Sequence, residues 1–163
     1  MTAMTTSELG LMAASALQEV LATQFKISVT PAVAEDSSTP KKNEPSLDGS
    51  VRLHGPKLFG SLHLQVPAAW AARLNDSLQA PGDPPSSEAD QEDLVGELCN
   101  MVAGRLGARL AASGYAGTLS TPDIQRGKFA PPDPRPGSQQ SRTDWTCEGH
   151  LLTLILLIDL NPK

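Results

Sequence analysis

Between Thr5 and Gln24 apolar residues return at intervals of three and four, at Leu9, Met12, Ala13, Ala16, Leu17, Val20 and Leu21. This spacing predicts an amphipathic helix with one buried face, and Thr5 with Glu8 forms a capping box at its start. Lys26 to Val33 then turns to β-rich residues. Glu35 to Gly49, polar and carrying two prolines and two lysines, is expected to be a mobile loop. Val51 to His54 and Leu58 to Val66 read as strands around a Gly55-Pro56 turn, the second alternating Leu58, Gly60, Leu62, Leu64 and Val66 with Phe59, Ser61, His63 and Gln65. A short helix is expected from Pro67 through Leu78 with Trp70, Ala71 and Leu74 inward. Ala80 to Glu88 reads as a Pro/Gly/Ser linker.

The second long helix is expected over Asp90 to Ser113, with Gly114 as its stop. Tyr115 to Arg126 and Ser141 to Cys147 read as strands separated by the proline-rich loop Gly127 to Gln140. Leu151 to Leu160 is apolar on both faces, which suits a strand buried in a sheet or covered by a partner. No internal repeat interrupts this order.

Winding the second long helix at about 100° per residue separates two faces. Leu94, Val95, Leu98, Cys99, Met101, Val102, Leu106 and Leu110 form a broad apolar arc. Asp93, Glu97, Asn100 and Gly104 share a stripe roughly 60° wide on the other side, flanked by Gly96 and Gly107. Each glycine forgoes about 1 kcal/mol of helix preference relative to alanine, and glycines on a polar face let another chain approach closely. Arg105 and Arg109 point toward the apolar arc, so either the helix end leaves the core or these side chains snorkel and complement the C-terminal dipole.

An exposed acid and amide are ordinarily only a solvated helix face; the glycine spacing and the order of elements favour a working surface. Water attacking an acyl phosphate needs orientation more than a strong base. A carboxamide offers both a donor and an acceptor at every physiological pH, so Asn100 can hold such a water while Glu97 anchors a cation. Asp93, Gly96 and Gly104 complete the candidate partner-binding surface. Asp93 has a second explanation in the helix dipole, and Gly104 and Pro122 are expected to act structurally, through close helix-to-sheet packing and a bent strand end.

The spacing Asp93-x-x-x-Glu97-x-x-Asn100-x-x-x-Gly104 resembles the signature helix of the CheC, CheX and FliY phosphatases. Leu119-Ser120-Thr121-Pro122 is similar to the segment that follows it, and the order of elements fits the CheX branch best over most of the chain. The resemblance implies an α+β fold, a twisted, mainly antiparallel sheet packed with two long helices and a short one, in a single domain over residues 1–163. It implies removal of phosphate from a phosphorylated CheY-like response regulator, with Glu97 binding the regulator's active-site lysine and Asn100 positioning the water. It implies no cofactor of the chain's own, Mg²⁺ on the partner, and a homodimer through sheet edges. A single copy of the motif argues against a two-site, CheC-like protein.

Charge and cysteine content narrow the alternatives. A net charge of -5 and 4% aromatic residues disfavour nucleic acid, which would be repelled and would find few rings to stack on. Cys99 and Cys147 are too few for a disulfide framework and lack zinc spacing. Cys99, on the apolar arc and without a base, is expected to be a packed small hydrophobe. His54, His63 and His150 show no ligand spacing, so no metal site is expected. No apolar run approaches the roughly 20 residues of a membrane span, and no signal core precedes Lys26, so a cytoplasmic protein is expected. Two other functions are compatible with the sequence: a non-catalytic module binding a response regulator or flagellar switch component with the same helix face, and a structural subunit assembled through the apolar last strand.

Overall fold

The computed structural model describes residues 3–32, 44–127, 133 and 135–162. The elements are α1 (Thr6–Gln24), β1 (Thr30–Pro31), β2 (Ser46–Gly55), β3 (Leu58–Pro67), α2 (Ala68–Leu78), α3 (Glu88–Ala112), β4 (Thr118–Leu119), β5 (Asp123–Gly127), β6 (Gln139–Cys147) and β7 (His150–Leu160). The strands form one sheet in the order β1-β6-β7-β3-β2-β4, with β5 also on β2. Every pairing is antiparallel. This is the α+β arrangement expected, with α1 over β6 and β7, α3 over β2, and α2 beside α3.

Both long helices begin with capping boxes. The Thr5 hydroxyl accepts from the Glu8 amide at 3.2 Å, and the Glu8 carboxylate accepts from the Thr5 amide at 2.7 Å. Ser87 and Asp90 repeat this at α3, so that helix starts two residues before its expected first residue, Asp90. At its end the Tyr115 amide donates to the Leu110 carbonyl and the Gly114 amide to Ala111, a Schellman closure that places Gly114 at φ +95°.

Several expected boundaries are corrected. β2 begins at Ser46, inside the stretch Glu35–Gly49 expected to be a loop; residues 35–43 of that stretch lie outside the described ones. Leu47, Gly49 and Val51 all face the helices, but Gly49 disguises the alternation because glycine ordinarily marks a turn. Of the expected strand Lys26–Val33, only Thr30–Pro31 is a strand among the described residues, and Val33 lies outside them. β6 extends back to Gln139, and much of the expected loop before it, residues 128–132 and 134, also lies outside the described residues.

The expected strand Tyr115–Arg126 is two pieces whose registers on β2 differ by one residue, Leu53 facing Leu119 but Ser50 facing Asp123. Between them the Ser120 hydroxyl accepts from the Arg52 amide at 2.9 Å, and Pro122 has no amide to contribute. The extra residue is a bulge.

The apolar last strand is interior. β7 pairs with β6 on one side and β3 on the other. Leu152, Leu154, Leu156 and Ile158 join the main core, while Thr153, Ile155 and Leu157 are buried on the opposite face. Its hydrophobicity is thus accounted for within the monomer, and β7 has no free edge to offer a partner.

One close approach determines where α3 lies. A Cβ added to Gly49 would sit 2.3 Å from the Cys99 sulfur and 3.2 Å from Val95, so a bare backbone on β2 is what lets α3 settle onto the sheet. Gly49→Val should therefore overpack this contact and lower stability by about 1–3 kcal/mol. A reduced urea midpoint at unchanged slope would show it; an unchanged midpoint would refute the close seating.

Candidate functional site

With α3 seated this way, Val95, Leu98, Val102, Ala103, Leu106 and Leu110 are wholly buried. The opposite side of the helix necessarily faces outward, and Asp93, Glu97, Asn100 and Gly104 are all exposed. Among the described residues none of the Asp93, Glu97 and Asn100 side chains makes a hydrogen bond or ion pair, so the acid and the amide remain free to meet another molecule. Three residues apart on a helix, Glu97 and Asn100 are offset by about 4.5 Å along the axis, a spacing at which one partner surface can engage both.

The glycines divide by role. A Cβ at Gly104 would meet nothing within 4 Å, so close packing on the sheet does not explain this residue. Gly96 lies beside Ile124 of β5 and Gly107 beside Leu119 of β4, each built Cβ lying 3.7 Å from a side-chain carbon. The flank of the stripe is thus bordered by two strand residues that periodicity within α3 could not reveal. Leu119 is 36% exposed, which adds an apolar shoulder beside Gly107.

The two arginines neither leave the core nor merely snorkel. Arg105 and Arg109 both donate to the Glu19 carboxylate of α1, and Arg109 also donates to the Met12 carbonyl at 3.2 Å. The fork fixes α1 against α3 on the side away from Gly96 and Gly107. At the other end of α3, Arg126 of β5 reaches Glu92 at 3.3 Å and Gln91 at 3.1 Å. None of these partners was legible in the sequence, because each joins segments far apart in the chain.

Cys99 is the packed hydrophobe expected. Burial, with the negative charge of Asp48 nearby as a smaller cause, pushes its thiol up to about 12. Cys147 is also raised, chiefly by burial, although its sulfur accepts a hydrogen bond from the Trp70 indole at 3.3 Å. Neither is a nucleophile at neutral pH. No group of three or more His, Cys, Asp and Glu side chains suited to a metal occurs among the described residues.

The sequence matches the family described as Chemotaxis phosphatase CheX over residues 48–139, more than half of the chain's 163 residues. The chain belongs to the CheX family. The match includes Asp93, Glu97, Asn100 and Gly104 together with the strands that seat α3. No curated protein sequence matches the chain.

Solved structures share the fold at low identity. Chemotaxis protein CheX from Vibrio vulnificus superimposes with a TM-score of 0.75 at 18% identity, covering 96% of this chain and 100% of that one. A CheC-like superfamily protein from Shewanella sp. PV-4 gives 0.74 at 22% identity, covering 93% and 97%. The CheX–CheY–BeF3–Mg²⁺ complex from Borrelia burgdorferi gives 0.65 at 18% identity, covering 96% and 99%. No described helix of this CheX-family chain is long and apolar enough to cross a membrane.

The buried Cys99 thiol gives a pH test of the seat. Well below pH 9 the thiol is protonated in both the folded and the unfolded chain and contributes no slope. Between pH 9 and about 12 the unfolded chain releases a proton that the folded chain keeps, so stability falls as pH rises, by at most about 1.4 kcal/mol per pH unit for this group. Urea unfolding across that range should show the decline, and Cys99→Ala should make it shallower while Cys147 sustains part of it. Equal slopes in the two proteins would contradict the burial of Cys99.

Proposed function

We propose that this chain accelerates hydrolysis of the aspartyl phosphate on a CheY-like response regulator. The observation that carries the reading is the outward projection of Glu97 and Asn100 from a seated helix, with no partner inside the described monomer. Membership of the CheX family supports it, as does the likeness to a CheX solved with CheY, BeF3 and Mg²⁺.

In this mechanism Glu97 docks the lysine beside the regulator's phosphorylation site, and the Asn100 carboxamide enters that site and orients a water. The water oxygen bonds to phosphorus as the bond from phosphorus to the aspartyl oxygen breaks, releasing inorganic phosphate and the free carboxylate. The loose transition state rewards positioning over basicity, and an amide is a positioning group whose donor and acceptor do not titrate. Mg²⁺ resides on the regulator, and this chain supplies no cofactor. Asp93 and Gly96 border the docking surface, and Gly104 leaves room for the partner's backbone. Such chemistry belongs in the cytoplasm, where response regulators act.

Loss of catalysis and loss of docking are separable. Asn100→Ala should abolish acceleration of phosphate release, about 100-fold or more in kcat, with little change in half-saturation. Glu97→Ala should mainly raise half-saturation for the phosphorylated regulator. A time course of phosphate loss at several protein concentrations distinguishes these effects. Retained turnover in Asn100→Ala would reject the mechanism, and capture of the regulator with no change in phosphate lifetime would favour the non-catalytic binding module.

The homodimer belongs to the same proposal, on a specified edge. Beyond Thr30–Pro31 no described strand pairs with the outer side of β6. Beside that edge Leu11 of α1 is 70% exposed, and a cleft between α1 and β6 runs past Gln140 and Arg142. An open edge of this kind accepts another strand. Sedimentation should show a concentration-dependent dimer that a proline at Arg142 weakens; a monomer at all concentrations would remove this element of the proposal.

A further inference from the structure

β5 is only five residues long and hydrogen-bonds to β2 along one side, yet its side chains hold the half of α3 that leads to the stripe. Ile124 lies beside Gly96. Two residues on, and so on the same face of the strand, Arg126 spreads its guanidinium across the first two turns of α3. Its Nε donates to the Glu92 carboxylate at 3.3 Å, and its Nη2 donates to the Glu88 carbonyl at 3.2 Å and the Gln91 side chain at 3.1 Å. The Glu88 carboxylate lies 3.9 Å away.

The position of this fork matters more than its strength. Glu88, Asp90, Glu92, Asp93 and Glu97 place five acids within ten residues of one helix, and among the described residues Arg126 is the only cation paired with any of them. Its side chain is 22% exposed but Glu92 and Glu88 are 41% and 78% exposed, so the geometry of the contact carries more than its charge. A planar fork binding a carbonyl and two side chains fixes both the rotation of the helix and its distance from the sheet, which a point charge cannot do.

We infer that Arg126 is a positioning residue for the docking step: it holds the first turns of α3 so that Glu97 is presented at a fixed angle to the partner. This role rests on the phosphatase reading. The polar contacts of Arg126 are with Glu88, Gln91 and Glu92 and with neither functional side chain, so it acts only through the helix. Because the fork grips residues 88 to 92, its loss loosens the helix from its start, reaching Glu97 before Asn100. Docking therefore suffers more than turnover.

The test is phosphate release from the phosphorylated regulator, measured over a range of regulator concentrations with the full chain and its Arg126→Gln and Arg126→Lys variants. Half-saturation should rise about fivefold or more in Arg126→Gln at nearly unchanged kcat, and Arg126→Lys, which keeps the charge without the fork, should recover part of it. Simple loss of folded protein would instead lower apparent kcat at constant half-saturation, and that result overturns the role. So does unchanged half-saturation beside an active wild type. An inactive wild type overturns the phosphatase reading and this role with it. Amide exchange supplies a readout independent of activity: Gln91 to Glu97 should exchange faster in Arg126→Gln while Leu17 to Leu21 of α1 do not, and equal acceleration in both helices would contradict a local role.

Discussion

The contact between α3 and β2 decides which side of that helix the solvent sees. Gly49 removes the Cβ that would strike Cys99 and Val95, and the helix drops onto the strand until its broad apolar arc is covered. A helix has only one rotation that buries such an arc completely. Once that rotation is fixed, Asp93, Glu97, Asn100 and Gly104 have no choice but to project outward. The outward direction of the polar stripe is a consequence of core packing.

Further contacts protect this rotation. Glu19 joins Arg105 and Arg109 and ties α1 along one flank. Ile124 and Leu119 border Gly96 and Gly107 on the other. Arg126 grips the helix start, and the Schellman closure at Gly114 terminates its far end. The bulge at Ser120–Pro122 is part of the same scheme, since the one-residue change of register brings both β4 and β5 alongside α3 while each keeps its pairing with β2. Helix, strands and caps thus hold one rotation of α3, the rotation on which the proposed docking depends.

Much of this was legible from periodicity. The two long helices, the hairpin strands and the polar stripe are local patterns, and local patterns survive in a single sequence. The resemblance in Asp93, Glu97, Asn100 and Gly104 named the family that the comparisons then showed. What stayed hidden was long-range or disguised. Gly49 looked like a turn residue although it lies mid-strand, and Pro122 suggested a bent strand end without showing the change of register there. Arg105 and Arg109 seemed misplaced until Glu19, some 86 residues from the first of them, supplied their partner. The final strand was ambiguous for a related reason: a central strand and a partner-covered one have the same hydrophobic run, and only its two neighbours, β6 and β3, decide between them.

In the proposed function the bare ridge of α3 serves a partner and not the fold. Gly104 isolates that claim, because a side chain added there meets nothing in the monomer. In Gly104→Gln the helix should become more stable by about half a kcal/mol, while the lifetime of the regulator's aspartyl phosphate should return toward that of the regulator alone. A variant that gains stability and still shortens the phosphate lifetime as well as the wild type does would contradict it.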